Sequence, residues 1–178
     1  MKIIAFAAST SSKSINKVLV TYVAHQLPNA DVEVLDLIDY PAPIFSEDTE
    51  KEIGHSESAK KLLAKLGRAD AIIVSFAEHN GSYTAAYKNL FDWATRIERS
   101  VFHNKPVLYM ATSPGPGGGK SVLAAAVSSA PYFGAEVKAS LSVPSFYDAF
   151  DVQANEFKNA QLKQQVTQAL DALVAELG

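Results

Sequence analysis

The chain contains no cysteine. A disulfide scaffold, a thiol nucleophile, a Cys-type zinc site and a Cys-held iron–sulfur cluster are therefore excluded. No run approaches the roughly 20 consecutive apolar residues that a membrane-spanning helix needs. The four histidines, His25, His55, His79 and His103, are far apart and form no i, i+4 pair, so no His-based metal motif is present. Charge of one sign is also missing: 16 Lys+Arg against 19 Asp+Glu leave a net charge of −3. With the basic residues scattered and no basic stripe, nucleic-acid binding has no footprint. The apolar stretch after Met1 is shorter than a signal-peptide core and runs into serines, which reads as mature protein and makes a cytoplasmic location the expectation.

What is present is ordinary globular material. The 178 residues are 48% hydrophobic and 20% charged, enough for one domain spanning 1–178. Strand-length apolar runs at 2–8, 31–37, 69–76, 105–112 and 136–143 alternate with amphipathic stretches at 14–27, 56–66, 83–98, 120–133 and 155–177. Strict alternation predicts an α/β fold with a doubly wound parallel sheet, helices on both faces and a ligand at the carboxyl ends of the strands. Near-continuous apolar runs such as Ala71-Ile72-Ile73-Val74 are expected of strands buried on both faces. In the last helical stretch Phe157, Leu162, Val166, Leu170, Leu173 and Leu177 form one apolar face. Two long connections stand out, 38–52 with Pro41 and Pro43, and 145–154.

Three loops at the predicted ligand edge carry unusual composition. The first, Ala8-Ser9-Thr10-Ser11-Ser12-Lys13-Ser14-Ile15-Asn16, is rich in hydroxyls and feeds a helix N-terminus, where unpaired N–H groups and a partial positive charge suit a phosphate. It contains no glycine, so it is no G-x-G-x-x-G dinucleotide turn, and a terminal phosphate is the better fit. The second runs from Ala77 to Tyr83. Its Asn80-Gly81 is a turn dipeptide, and Gly81 lets a flat ligand approach the backbone. Glu78, His79 and Ser82 are near neighbours in one segment without a G-x-S-x-G elbow, which speaks against a hydrolase relay. The third, Ser113-Pro114-Gly115-Pro116-Gly117-Gly118-Gly119-Lys120-Ser121, ends like a Walker A motif, but the place of its first glycine is Pro114. Close backbone approach to a ring or an anion explains such a glycine run.

These three loops resemble the NAD(P)H-dependent FMN reductase family of the flavodoxin-like fold, which includes quinone, azo-dye and chromate reductases. The family's G-S-x-R-x-x-S-x-N is matched at Ser9, Ser14 and Asn16, with Ala8 for Gly and Ser11 for Arg. Its P-E-Y-N-x-S-x-P-G-x-L-K-N-x-x-D-W is matched at Glu78, Asn80, Ser82, Lys88, Asn89, Asp92 and Trp93. Departures there are Ala77, His79, Thr84, Ala85 and Tyr87. The family's S-P-G-x-x-G-G is matched in full by 113–119.

The resemblance implies a three-layer sandwich with a five-stranded parallel sheet of order 2-1-3-4-5. It places Ser9, Ser11, Ser14, Ile15 and Asn16 on the phosphate and ribityl end of FMN. It sets Glu78, His79, Asn80, Gly81 and Ser82 against the flavin ring, and Ser113, Gly115, Gly117 and Gly118 on its pyrimidine side. No catalytic side chain is implied, since the chemistry belongs to flavin N5. NADPH or NADH would be the donor and a quinone, free flavin, azo compound or chromate the acceptor, in ping-pong order, in a homodimer or homotetramer. Alternatives from other classes are a flavodoxin-type electron carrier, whose T-x-T-G-N-T loop is missing here, and a P-loop-like nucleotide-binding protein.

Overall fold

The computed structural model describes residues 1–175 and 177. Five parallel strands form the central sheet: β1 (Lys2–Ala8), β2 (Asp31–Leu35), β3 (Ala71–Phe76), β6 (Lys105–Thr112) and β7 (Ala135–Val143). Their spatial order is β2-β1-β3-β6-β7, the 2-1-3-4-5 arrangement expected of the flavodoxin-like fold. Five helices cover the sheet: α1 (Ile15–Ala24), α3 (Glu57–Gly67), α4 (Ala85–Ile97), α5 (Lys120–Ser129) and α7 (Ala160–Val174).

The three layers follow from the two-residue period of a strand. Ile4, Phe6, Ile72, Val74, Val107 and Tyr109 join one core with the buried faces of α3, α4 and α5. Their alternates Ile3, Ala5, Ile73, Leu108 and Met110 join the other core, with α1 and α7. Both faces of the central strands are apolar because both are covered.

Several elements depart from the sequence expectation. Residues within 38–52 were expected as open connection, yet α2 (Glu47–Ile53) forms there. It buries no residue, so it carries no apolar periodicity. It rests instead on a local cap, where Ser46 Oγ accepts from Thr49 N–H at 3.0 Å, and on a bidentate contact from Arg96 to Glu50 at 3.0 Å. The 77–83 loop contains a small hairpin of β4 (Glu78–His79) and β5 (Ser82–Tyr83). The 145–154 connection contains the short helix α6 (Phe146–Ala149) and β8 (Phe150–Asp151), which pairs with β9 (Glu156–Phe157).

Phe157 therefore sits on a strand rather than on the apolar face of the last helix. Its ring closes edge-on against Phe150 at 5.2 Å, and α7 begins after the Asn159 cap. Of the expected 155–177 helix, Glu176 lies outside the described residues, as does Gly178 at the end of the expected 1–178 domain. Among the described residues no helix is long and apolar enough to cross a membrane.

Candidate functional site

The sheet order reverses between β1 and β3, so the connections leaving their carboxyl ends diverge and leave a crevice. The three glycine- and hydroxyl-rich loops meet there around a cleft of about 230 Å³. Ser9, Ser11, Ser14, Ile15 and Asn16 line one side, Ala77, Glu78 and His79 a second, and Thr112, Ser113 and Pro114 a third.

The first loop is shaped by its own hydroxyls. Ser9 Oγ accepts from Ser11 N–H at 3.2 Å, Ser11 Oγ from Lys13 N–H at 3.3 Å, and Ser14 Oγ caps α1 by accepting from Lys17 N–H at 3.2 Å. With the loop so folded, the N–H groups of Ser12, Ile15 and Asn16 have no acceptor among the described residues. These donors stand at the positive end of α1, which is a ready anion site. Lys17 is committed to an ion pair with Asp36, and it holds that carboxyl below its ordinary range. Lys13 lines the cleft and has no ion-pair partner among the described residues. It is thus the cation left for a bound anion.

Asn16 lines the cleft with its side chain turned into the protein. It is 3% exposed, and its amide is consumed within the protein. Its Oδ1 accepts from Ser75 Oγ at 2.7 Å and Thr112 N–H at 3.0 Å, while its Nδ2 donates to Thr112 O at 3.1 Å. The side chain therefore latches α1 to β3 and β6, and only its backbone N–H faces the ligand end.

In the second loop Asn80 and Gly81 both have positive φ, +53° and +76°. That is the geometry of a type I′ turn closing a two-residue hairpin, so the turn itself accounts for Gly81. Glu78 Oε2 accepts from Val122 N–H at 2.9 Å. Since the N-cap of α5, Gly119, has no side chain to offer, the Glu78 carboxylate serves as that helix's cap from outside. A carboxylate at the N-terminus of α5 also occupies the position in which a P-loop would hold phosphate, which removes the nucleotide reading of Gly119-Lys120-Ser121. Glu78 fixes the hairpin, while His79 is exposed beside the cleft.

The four glycines of the third loop divide in two. A Cβ at Gly118, where φ is +61°, would meet Ser142 Oγ at 2.4 Å and Pro144 N at 3.0 Å, so packing against β7 and the residues after it demands glycine there. At Gly115 and Gly117 nothing stands within 4 Å of a Cβ, and their N–H groups have no acceptor among the described residues. These two have open space in front of their backbone. Ser113 shapes the loop, its Oγ donating to Gly115 O at 3.0 Å and its carbonyl accepting from Phe146 N–H at 3.0 Å.

Sequence reasoning passed over Lys13 and Tyr147. Lys13 was within reach, being the one cation in the hydroxyl loop. Tyr147 lines the cleft from α6, some 30 residues beyond the third loop, and no local pattern marks it.

The NADPH-dependent FMN reductase family model matches residues 1–148. An uncharacterized protein of Mycoplasma pneumoniae is 31% identical over 150 residues, covering 82% of this chain and 88% of the other. An NAD(P)H-dependent FMN reductase of Pseudomonas aeruginosa is 26% identical over 65% of this chain and 61% of its own length. The chain spans less than two thirds of the curated reductases it matches. Among solved structures, a flavoenzyme NAD(P)H:acceptor oxidoreductase from Paracoccus denitrificans superposes with a TM-score of 0.76 at 22% identity, over 98% of this chain and 95% of the other.

Proposed function

Because this chain belongs to the NADPH-dependent FMN reductase family, we propose that it is a single flavodoxin-like domain that binds FMN in the cleft and passes reducing equivalents from NADPH or NADH to a small-molecule acceptor. The observation that carries the reading is the set of free donors at the helix end of the crevice. The N–H groups of Ile15 and Asn16, with Lys13 beside them, suit a phosphate monoester; next to the lining residues Ser113 and Pro114, Gly115 and Gly117 have open space in front of their backbone, as the approach of a flat ring requires. The residues present thus fit FMN.

Bound FMN would supply the two-electron chemistry at its N5 atom. The protein's own part is orientation. Glu78, by capping α5, holds the hairpin and the glycine loop at a constant separation. The N–H groups of Gly115 and Gly117 are donors available to negative charge at a ring edge. His79, exposed at the rim, stands where donor and acceptor would enter in turn. The reading includes ping-pong order, with a quinone, free flavin, azo compound or chromate as acceptor. The reading carries with it a cytoplasmic location, where reduced nicotinamides are made, and a homodimer or homotetramer.

Titration with FMN, followed by quenching of flavin fluorescence, tests the cofactor directly. Saturable 1:1 binding is the expected result, and no uptake at high micromolar FMN would overturn it. Initial rates of NAD(P)H oxidation with a quinone should give parallel double-reciprocal lines. Intersecting lines would replace ping-pong by a ternary complex.

A further inference from the structure

Past the anion end of the cleft the surface does not close. A groove of about 580 Å³ continues from it between α1 and the segment of α6, β8 and β9, and Lys13, Ser14, Ile15 and Tyr147 line both spaces. Residues of the second and third loops, His79 and Ser113 among them, line the cleft alone. The groove therefore opens on the anion end and not on the rim at His79. It follows α1 from Ser14 to Thr21. That is about 10 Å of helix, room for one sugar and one base beyond a phosphate.

Its walls carry three kinds of unused group. Tyr147 and Val152 are 58% and 47% exposed, large apolar side chains that the core leaves in water. Tyr147 is fixed all the same. Its ring stands edge-on to the buried Phe146 at 5.5 Å and 78°, and its carbonyl accepts from Lys158 Nζ at 2.9 Å. A held, exposed aromatic face is a platform on which a flat base stacks. Asn155, in the turn between β8 and β9 with φ +52°, has a carboxamide without a hydrogen-bond partner among the described residues. One donor beside one acceptor matches the N6 and N7 edge of adenine. The charge is of one sign: Lys17, paired with Asp36, and Lys13, without an ion-pair partner among the described residues, line the groove, and no carboxylate does.

We propose that this groove is a subsite for the adenylate half of FAD, so that the protein holds FAD more tightly than FMN. The inference rests on the FMN reading, which puts the flavin phosphate at the N-terminus of α1. A group that reaches the groove from there is one attached through that phosphate, and in FAD that group is adenosine monophosphate. Its phosphate meets Lys13, its base lies on Tyr147 against Val152, and the edge of the base meets the Asn155 carboxamide. A nicotinamide dinucleotide fits less well, because its ring must reach the flavin from the His79 rim, where the groove does not open. No glycine turn is needed, since the pyrophosphate leaves over Ser12 and Lys13 rather than along the loop backbone.

Calorimetric titration of the flavin-free protein with FMN and, separately, with FAD tests the inference apart from the reading beneath it. FAD should bind at least tenfold more tightly than FMN. The Val152→Glu, Asn155→Gly double variant places a negative charge where the nucleotide would lie and removes the carboxamide, while glycine keeps the positive φ at 155. Both positions line the groove and not the cleft. The variant should bind FAD at least tenfold more weakly, keep its FMN affinity within twofold and unfold at an unchanged temperature. FMN uptake with FAD bound no more tightly would overturn the inference and leave the FMN reading standing, whereas uptake of neither flavin would overturn both. Unchanged FAD affinity in the variant, or equal weakening of both flavins, would also overturn it. A raised KM for NADPH in the variant at unchanged FAD affinity would assign the groove to the donor instead.

Discussion

The amide of Asn16 reaches two strands at once, and its removal strands Ser75 Oγ and both backbone groups of Thr112 in the buried interior. Asn16→Ala should therefore lower unfolding free energy by about 3 kcal/mol, read as an earlier urea midpoint at constant slope. The glycines offer a paired test of the same distinction between building a site and touching a ligand. Gly118→Ala forces a Cβ against Ser142 and Pro144 at a positive φ and should cost about 1–3 kcal/mol of stability. Gly117→Ala, with open space before it, should leave stability within about 0.5 kcal/mol and act on FMN uptake alone. At the opposite end of the cleft, Lys13→Ala should weaken FMN roughly tenfold at low salt, about 1.4 kcal/mol, and by less at high ionic strength because the contact is screened. An affinity unchanged by Lys13→Ala would remove that lysine from the phosphate site.

Elements are joined here by a few side chains that look like binding motif in the sequence. Asn89 accepts from Phe45 N–H at 2.8 Å and donates to Ala42 O and Pro43 O at 3.2 and 3.0 Å, and Trp93 Nε1 donates to Pro43 O at 2.7 Å. Two of the most distinctive residues of the second motif therefore fasten the long 38–46 connection to α4. Thr84 has a double duty of the same kind: it caps α4 by accepting from Tyr87 N–H at 3.3 Å, and its hydroxyl donates to Ala8 O at 2.9 Å where β1 ends. Thr84→Ala should cost about 1–2 kcal/mol and shift the thermal midpoint downward by a few degrees. The helices α1, α3, α4 and α7 were legible because each shows an apolar stripe with a side-chain cap before it, and α5 because its stripe follows a glycine run. The helix α2 and the β8–β9 hairpin were not, since the first has no buried face and the second owes its pairing to contacts around Phe150 and Phe157 that no local window contains.

For the molecule as a whole, the order β2-β1-β3-β6-β7 sets a crevice at the strand ends, and its edge strand β2, paired to β1 on one side, is flanked by two ion pairs. Lys65 pairs with Glu33 on β2, and Lys17 pairs with Asp36 just beyond it; each lysine holds its carboxyl below the ordinary range. A lowered folded-state pKa adds stability that is complete above the unfolded carboxyl value, roughly 4, and is lost as pH falls through the folded one. The midpoint of thermal unfolding should thus drop below about pH 4, and Lys17→Met with Lys65→Met should flatten that acid limb. An acid limb identical in the double variant would assign the loss to other carboxylates.

Length, absence of cysteine, strand and helix periodicity and the three loop compositions were enough to determine the fold class, the strand order by resemblance and the sheet edge at which the three loops meet. Those are properties of local pattern, and hydrophobic period records which face of each element is covered. Which loop residues hold the cleft's shape was decided only by the folded chain. The side chains of Asn16 and Glu78 and the backbones of Gly81 and Gly118 are used within the protein, whereas Lys13 and Tyr147 line the cleft and Gly115 and Gly117 have open space before them. A hydrogen bond or a close approach between residues 40 or 100 positions apart has no signature in the neighbourhood of either one, so only their meeting in space assigns the role.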